Sequence, residues 1–384
     1  MTACLFGTYD RTHSATRLLR QALVGAGYRV EECHEPLWEE TRSKHAGYFG
    51  ARSLARLGGR YVGAARRLAA RWRARPDGPA PLVVVGFNGQ LDVLLARRIC
   101  RPRAGLVFAP LVSLTETLVD DRRLFAARSL RGRALVRLDR ITLGAADLVL
   151  ADTAAHAAYL AQLATPPVRI AVWHLGPEPE FLPARPPAPV GRRVLFYGRC
   201  VPLHGIDTIV EAAVRLRGRA DFMLIGAGPE RPRLERLVAA RAAPLTWRAD
   251  VPLAALPDEL AAAAVVLGVF GEGRKAAMVV PNKVYQAAAA GRPLVTRDGP
   301  ALREVLEPGV HCVTCPPADP EALANAVAGL LDDPVRADRI GRAARVHVLD
   351  RFSPERQAAR LGDILAPRFG SAPAVVPVRR AADA

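Results

Sequence analysis

The stretch RVLFYGRCVPLHGIDTIVEA, starting at residue 193, places Gly198, Arg199, His204 and Gly205 where an apolar run hands over to a helical pattern. Backbone amides at a helix start attract anions, and a guanidinium beside them grips phosphate oxygens. The chemistry these residues suit is therefore phosphate binding. A second group lies in FGEGRKAAMVVPNKVYQAAAAGRPLVTRDGPALREV, residues 270–305. A glycine-rich loop there carries Lys275, and Pro281-Asn282-Lys283 opens a helix with Asn282 as the expected N-cap. Gln286 follows one turn later, at the same mouth. Singly, each reads as an ordinary solvated residue. Together, at the ends of strands, Arg199, Lys275 and Lys283 form a cationic cup for a pyrophosphate, with Gln286 available to ribose hydroxyls. In LIGAGPE, Gly226 and Gly228 make a turn that lets a nucleotide approach the backbone. Position 231 is Arg, so the third glycine of a dinucleotide fingerprint is missing and a nicotinamide site is disfavoured.

The elements that must hold these residues alternate along the chain. The runs ACLFGTY, YRVEECH, PLVVVGF, AGLVFAP, LVLAD and VRIAVWH read as strands, with helical patterns between them. The alternation restarts with RVLFYG, DFMLIGAG, PLTWRA, VVLGVF, PLVTRD and HCVTC. Such order predicts an α/β chain with two doubly wound Rossmann-like domains facing a central cleft. The expected division is residues 1–177, a proline-rich linker at 178–192, a second domain at 193–352, a return helix at 353–369 and a disordered tail at 370–384. Ligands of such sheets sit beyond the carboxyl ends of the strands, so the cleft is the expected site.

The formal charge is +17 in 384 residues. From Arg42 to Arg75 there is no acidic residue, and eight arginines crowd residues 52–75. Leu54, Leu57, Tyr61, Ala65, Leu68 and Trp72 recur at helical spacing. An arginine-faced amphipathic helix of this kind suits an anionic membrane surface, although packing of the stripe on the core is the plainer alternative. Nucleic acid is disfavoured, because no recognised module accompanies the charge. No run of about twenty apolar residues lacks charge, so no membrane span is expected. The opening MTACLFGTYDRTH reads as a first strand and not a signal peptide, which suggests a cytoplasmic protein, with the basic helix offering peripheral contact at the inner membrane face. His311 and Cys312-Val-Thr-Cys315 lack a second ligand pair at metal-site spacing, and read as a strand.

The second half resembles the donor-binding domain of retaining GT-B glycosyltransferases of glycosyltransferase family 4. The resemblance rests on FYGRCVPLHGIDTIVEA, FMLIGAGPERPRLERL, PNKVYQAAAAGRPLVT, LREVLEPGVHCV and PPADPEALANAV. In the first half TYDRTH, ECHEPLWEET, VVVGFNGQLD, SLTETLVDDR and LVLADTAAHAAYL look like a subgroup of the same enzymes. The resemblance implies a nucleotide-sugar donor whose diphosphate meets Arg199, with Gly198, His204, Gly205, Gly226, Gly228, Pro281, Asn282, Gln286 and Glu304 around it. Catalytic charge is expected from Arg199, Lys275 and Lys283. The common family pattern has lysine where this chain has His204, and glutamates at Met278 and Gln286. Many relatives carry a histidine after a first-domain strand, and here Ser113, Thr115 or Glu116 would have to serve. Asp10, Arg11, Ser113, Glu116, Asp121 and Arg122 are expected on the acceptor side. Relatives need neither metal nor cofactor, and the departing phosphate can itself accept the proton. A homologue that binds a partner or membrane without catalysis, and an epimerase of free nucleotide sugars, remain open.

Overall fold

The computed structural model describes residues 1–38, 51–75, 81–100, 104–182, 189 and 191–370, with the backbone alone for 51–54. Residues 183–188 and 190 of the expected linker and the tail beyond residue 370 lie outside the described residues, as does the end of ECHEPLWEET.

Among the described residues, twelve parallel strands form two sheets. The first holds β1 (Thr2–Gly7), β2 (Arg29–His34), β3 (Leu82–Val85), β4 (Leu106–Phe108), β5 (Leu148–Ala151) and β6 (Ile170–Val172), in the order β2-β1-β3-β4-β5-β6. The second holds β7 (Arg193–Tyr197), β8 (Asp221–Ile225), β9 (Leu245–Arg248), β10 (Val265–Leu267), β11 (Leu294–Arg297) and β12 (Val313–Cys315), in the order β12-β11-β10-β7-β8-β9. The central strands are buried along their length, in every residue of β3, β4, β5 and β10. Helices covering both faces make this possible, and continuous apolar runs are the result. This is the α/β architecture expected from the sequence.

Strand order places the site. In the second sheet the chain leaves β7 toward β8 and β9, then returns to the other side of β7 with β10. That reversal between β7 and β10 opens a crevice at their carboxyl ends. The loops after these strands, starting at Gly198 and Gly268, are those carrying Arg199, His204 and Lys275. The first sheet reverses likewise between β1 and β3, beyond which lie Asp10 and Arg11.

The lobes are joined by apolar packing. One core cluster runs through Leu18, Trp173 and Phe181 of the first lobe to Tyr285 and Phe352 of the second. The helix Pro354–Phe369 returns to the first lobe and packs on the helix Ser14–Gly25, where Ala358 lies against Gly25. Trp173 Nε1 donates to the Gln357 carbonyl at 3.1 Å, pinning the return.

The basic helix Ala51–Arg73 uses its apolar stripe on the first lobe. Leu68 is fully buried, and Trp72 meets Phe6 edge-on with ring centroids 6.2 Å apart. Arg67 and Arg71 both pair with the buried carboxylate of Glu35, at 2.6 and 2.9 Å. Insertion of this stripe into lipid, one reading of its spacing, is therefore corrected: Leu68 and Trp72 have protein on that side. Arg56, Arg66 and Arg73 stay exposed. Among the described residues no helix is long and apolar enough to cross a membrane.

Candidate functional site

The loop after β7 turns at Gly198, whose φ of +139° suits glycine. A Cβ there would lie 3.0 Å from Lys283 Nζ and 3.2 Å from His204 Cε1. Glycine thus makes room for an ammonium from a different strand-to-helix loop. Lys283 is 5% exposed, its Nζ has no hydrogen-bond partner among the described residues, and it lies 3.8 Å from the Phe196 ring centroid. Burial holds its pKa well below the usual lysine range. Arg199 is exposed, and its side chain makes no hydrogen bond or ion pair among the described residues. Its charge bears on both His204 and Arg122. Arg199 and Lys283, predicted from separate motifs, therefore flank one glycine turn.

His204 has another part. Its Nδ1–H donates to the Arg199 carbonyl, and burial followed by the Lys283 charge holds its pKa well below the ordinary value. A neutral ring cannot replace the lysine of the family pattern. It shapes the loop and leaves Nε2 as an acceptor. Gly205 is left-handed (φ +59°), and a Cβ would strike Phe270 and Gly271 backbone at 2.6–2.7 Å. Cβ atoms at Gly226 and Gly228 would meet Gly198 O at 2.0 Å and Cys200 N at 2.6 Å. Their missing side chains let this turn lie directly against the neighbouring loop.

Other expected ligands turn elsewhere. Pro281 is the N-cap and Asn282 the first residue of the helix Asn282–Ala289, with no side-chain cap. The Asn282 amide faces Glu178 at 3.5 Å. Gln286 is buried; it accepts from Tyr197 Oη at 2.8 Å and donates to Glu178 at 2.9 Å, so its amide is committed inside the protein. Met278 packs into the first lobe's core, and its carbonyl accepts from Thr153 Oγ1. Glu304 accepts the Ala154 and Ala155 amides at 2.6 and 3.0 Å, and His174 Nε2 lies at 3.1 Å. It caps a first-lobe helix, Ala154–Leu163, which is good use of a carboxylate at a helix start.

Lys275 also leaves the expected cup. It sits in the short helix Arg274–Met278 and reaches the first lobe, where Nζ donates to Thr117 Oγ1 at 2.8 Å and lies 3.7 Å from Glu116 Oε1. Glu116 is fully buried and lies 3.1 Å from His156 Nε2, while His156 Nδ1 bonds Asp152 at 2.6 Å. The result is a sealed chain Asp152–His156–Glu116–Lys275 across the lobes. Spacing holds a signal for it: Asp152 and His156 stand four apart in LVLADTAAHAAYL, at the start of a helix. Glu178, hidden in proline-rich PEPEF, carries none.

Among acceptor-side candidates, Asp10 accepts the Thr12 amide and hydroxyl at 2.8 and 2.7 Å, and Arg11 pairs with Glu32 at 3.0 Å. Ser113 Oγ accepts the Glu116 amide at 3.0 Å and meets Tyr159 Oη at 3.3 Å. Asp121 and Arg122 end a π-helical turn, Glu116–Asp121, closed by Arg122 N–H to the Thr117 carbonyl at 2.9 Å. Such turns concentrate at functional sites. Asp121 Oδ2 lies 3.2 Å from Arg122 Nε. Beside this turn is a cavity of about 250 Å³ lined by Val119, Val136, Tyr159, Leu163 and Arg274. Arg274 belongs to the second lobe; it pairs with Asp120 at 2.6 Å and lies 4.5 Å from the Tyr159 ring.

The cysteine pair is unexceptional. Cys312 and Cys315 are buried free thiols, and burial pushes both up to about 12. Among the described residues, no group of three or more His, Cys, Asp or Glu could hold a metal ion.

Residues 191–333 match the family described as Glycosyl transferases group 1. That stretch contains the glycine turn, Arg199, His204, Lys275 and Lys283. The chain is 30% identical over 161 residues to alpha-D-kanosaminyltransferase of Streptomyces kanamyceticus, covering 39% of each. The match thus spans well under half of that relative. Among solved structures, sucrose-phosphate synthase from Thermosynechococcus elongatus superposes with a TM-score of 0.74 at 19% identity, covering 96% of this chain and 98% of that one. Anabaena HepE in complex with UDP-glucose gives 0.71 at 15%, covering 96% and 100%. The fold is GT-B.

The sealed charge chain has a measurable signature. Burial alone would lower the His156 pKa, but Glu116 and Asp152 outweigh it and push it up to about 10. The folded protein then binds this proton more tightly than the unfolded chain does. The stabilisation is complete below about pH 6.5 and is lost as pH rises through about 10. His156→Gln, leaving two buried carboxylates without their cation, is expected to cost about 3–5 kcal/mol near neutral pH. The stability gap between wild type and variant should narrow toward pH 10, and chemical denaturation across that range checks it. A gap independent of pH would contradict the assignment.

Proposed function

We propose that this protein is a glycosyltransferase that moves a sugar from a nucleotide-sugar donor to an acceptor, with retention of configuration and without a metal ion. The observation that carries the reading is the buried, unpartnered ammonium of Lys283 beside an unpaired Arg199 at a glycine turn, in the crevice where strand order reverses. The group 1 match over these same residues supports it, as does a GT-B neighbour solved with UDP-glucose. As the glycosidic bond stretches, negative charge grows on the departing diphosphate. Arg199, Lys283 and the amides of the turn stabilise that charge, Lys283 from a buried position and Arg199 from the rim. The departing phosphate oxygen takes the acceptor's proton, so no side-chain base is needed. His204 stays neutral and holds the turn through the Arg199 carbonyl. Lys275, by contrast, acts on lobe position through Glu116 and Thr117. The cavity beside the π-helical turn is the candidate acceptor pocket, with the apolar walls and few polar groups usual for small molecules.

UDP and GDP, titrated separately by calorimetry, test the phosphate site. Arg199→Ala and Lys283→Ala should each weaken the nucleotide that wild type binds by roughly tenfold to a hundredfold, the worth of a charge-assisted hydrogen bond. Unchanged affinity in both variants would remove the cup from the mechanism.

The exposed arginine face of the helix Ala51–Arg73 supports electrostatic contact with an anionic membrane, without insertion of its packed stripe. Flotation should therefore carry the protein up with vesicles containing phosphatidylserine at low salt and release it at high salt. Protein left at the bottom under both conditions would end this part of the proposal.

A further inference from the structure

The proline-rich stretch between the lobes hides a carboxylate that the mechanism above does not use. Glu178 is fully buried, and its carboxylate oxygens meet two side-chain amides: Gln286 Nε2 donates to Oε2 at 2.9 Å, and Asn282 Nδ2 faces Oε1 at 3.5 Å. A buried carboxylate is costly unless its oxygens are bonded in this way. A carboxylate only accepts, so Gln286 must turn its nitrogen toward Glu178 and its oxygen the other way. That oxygen accepts from Tyr197 Oη at 2.8 Å. Tyr197 is the last residue of β7, directly before Gly198, and Gln286 lies one turn beyond Lys283 in the helix Asn282–Ala289. Glu178 thus sets the orientation of the amide that ties the strand under the glycine turn to the helix carrying the buried ammonium.

The residues after Glu178 hold the same helix from its other end. The Leu182 carbonyl accepts from Arg345 Nη2 at 3.0 Å, and Arg345 Nη1 also bonds the carbonyl of Ala289, the last residue of that helix. Between these points Phe181 is buried in the core shared by the lobes, and Glu180 pairs with Arg17 on the first-lobe helix Ser14–Gly25. Residues 178–182 therefore run as a strap from a first-lobe helix to both ends of the helix that carries Lys283.

We propose that Glu178 is a positioning residue for the phosphate cup: through Gln286 and Tyr197 it fixes Lys283 against the turn at Gly198, and the strap it begins couples that placement to the first lobe. This rests on the nucleotide-sugar reading above and goes beyond it, because it gives the linker a part in donor binding and makes Gln286 a strut where the sequence suggests a ribose ligand. The spacing it governs is tight. Lys283 Nζ lies 3.8 Å from the Phe196 ring centroid and 3.0 Å from where a Cβ on Gly198 would stand, so a small shift of the helix changes where the ammonium points.

The test uses the full chain with UDP or GDP, whichever binds wild type, at a temperature where melting curves show each variant folded. Gln286→Glu sets two carboxylates face to face where a donor met an acceptor, and should weaken the diphosphate by at least about tenfold. Adding Glu178→Gln to that variant restores one donor and one acceptor, and should return affinity to within about threefold of wild type. Gln286→Glu alone should also recover relative to wild type as pH falls, since one of the facing carboxyls then takes a proton and donates it to the other. A purely structural loss would lower the melting point and leave the affinity of the folded protein unchanged. Where Gln286→Glu does not melt cooperatively, Tyr197→Phe removes the other bond to the same amide and should weaken the diphosphate about threefold to tenfold. Wild-type affinity in these folded variants, or a loss in Gln286→Glu that Glu178→Gln does not rescue, would overturn this proposal and, with Lys283→Ala impaired, spare the cup. Wild-type affinity in the Arg199 and Lys283 variants as well would remove the nucleotide reading itself.

Discussion

A lysine ammonium buried without a hydrogen-bond partner is expensive, by several kcal/mol against its state in water, and a chain keeps one only where the fold fixes it. Lys283 is fixed by Pro281 starting a helix directly behind it, by the Phe196 ring beneath it and by the missing side chain at Gly198. Much else follows from housing it. Gly198 must remain glycine, Gly226 must be glycine to lie against Gly198, and His204 must be neutral to sit beside a cation. The loops after β7, β8 and β10 are thereby locked together, and Arg199 stays exposed at the rim.

The lobes meet through charge as well as apolar surface. Glu304 caps a first-lobe helix, and Lys275 reaches Glu116 and Thr117. The second of these ties holds the π-helical turn against the helix Arg274–Met278. A buried ion pair such as Glu116–Lys275 adds little net stability, because desolvation offsets most of its attraction. It does fix geometry, since any other lobe arrangement would leave one charge buried alone. The arrangement of the lobes is consequently specific without needing to be strong.

Strands are legible because parallel sheets bury both faces and print apolar runs into the sequence. Arg199 and Lys283 are legible because each follows a strand that ends beside the reversal of strand order. What local pattern cannot supply is the identity of partners more than a hundred residues away. Gln286 and Glu304 look like ligand contacts, and Glu178 and the 154–155 amides hold them instead. Lys275 reads as part of its own domain's cup because nothing nearby in sequence shows that Glu116 lies opposite. Met278, unable to bond a sugar hydroxyl, is a packing residue for the other lobe.

Where the donor's phosphates sit decides the matter, and a crystal structure with the bound nucleoside diphosphate addresses it most directly. Phosphate oxygens are expected within hydrogen-bond distance of Lys283 Nζ and the Arg199 guanidinium, above the glycine turn at 198. A diphosphate seated elsewhere, with Lys283 still facing Phe196 alone, would contradict the cup.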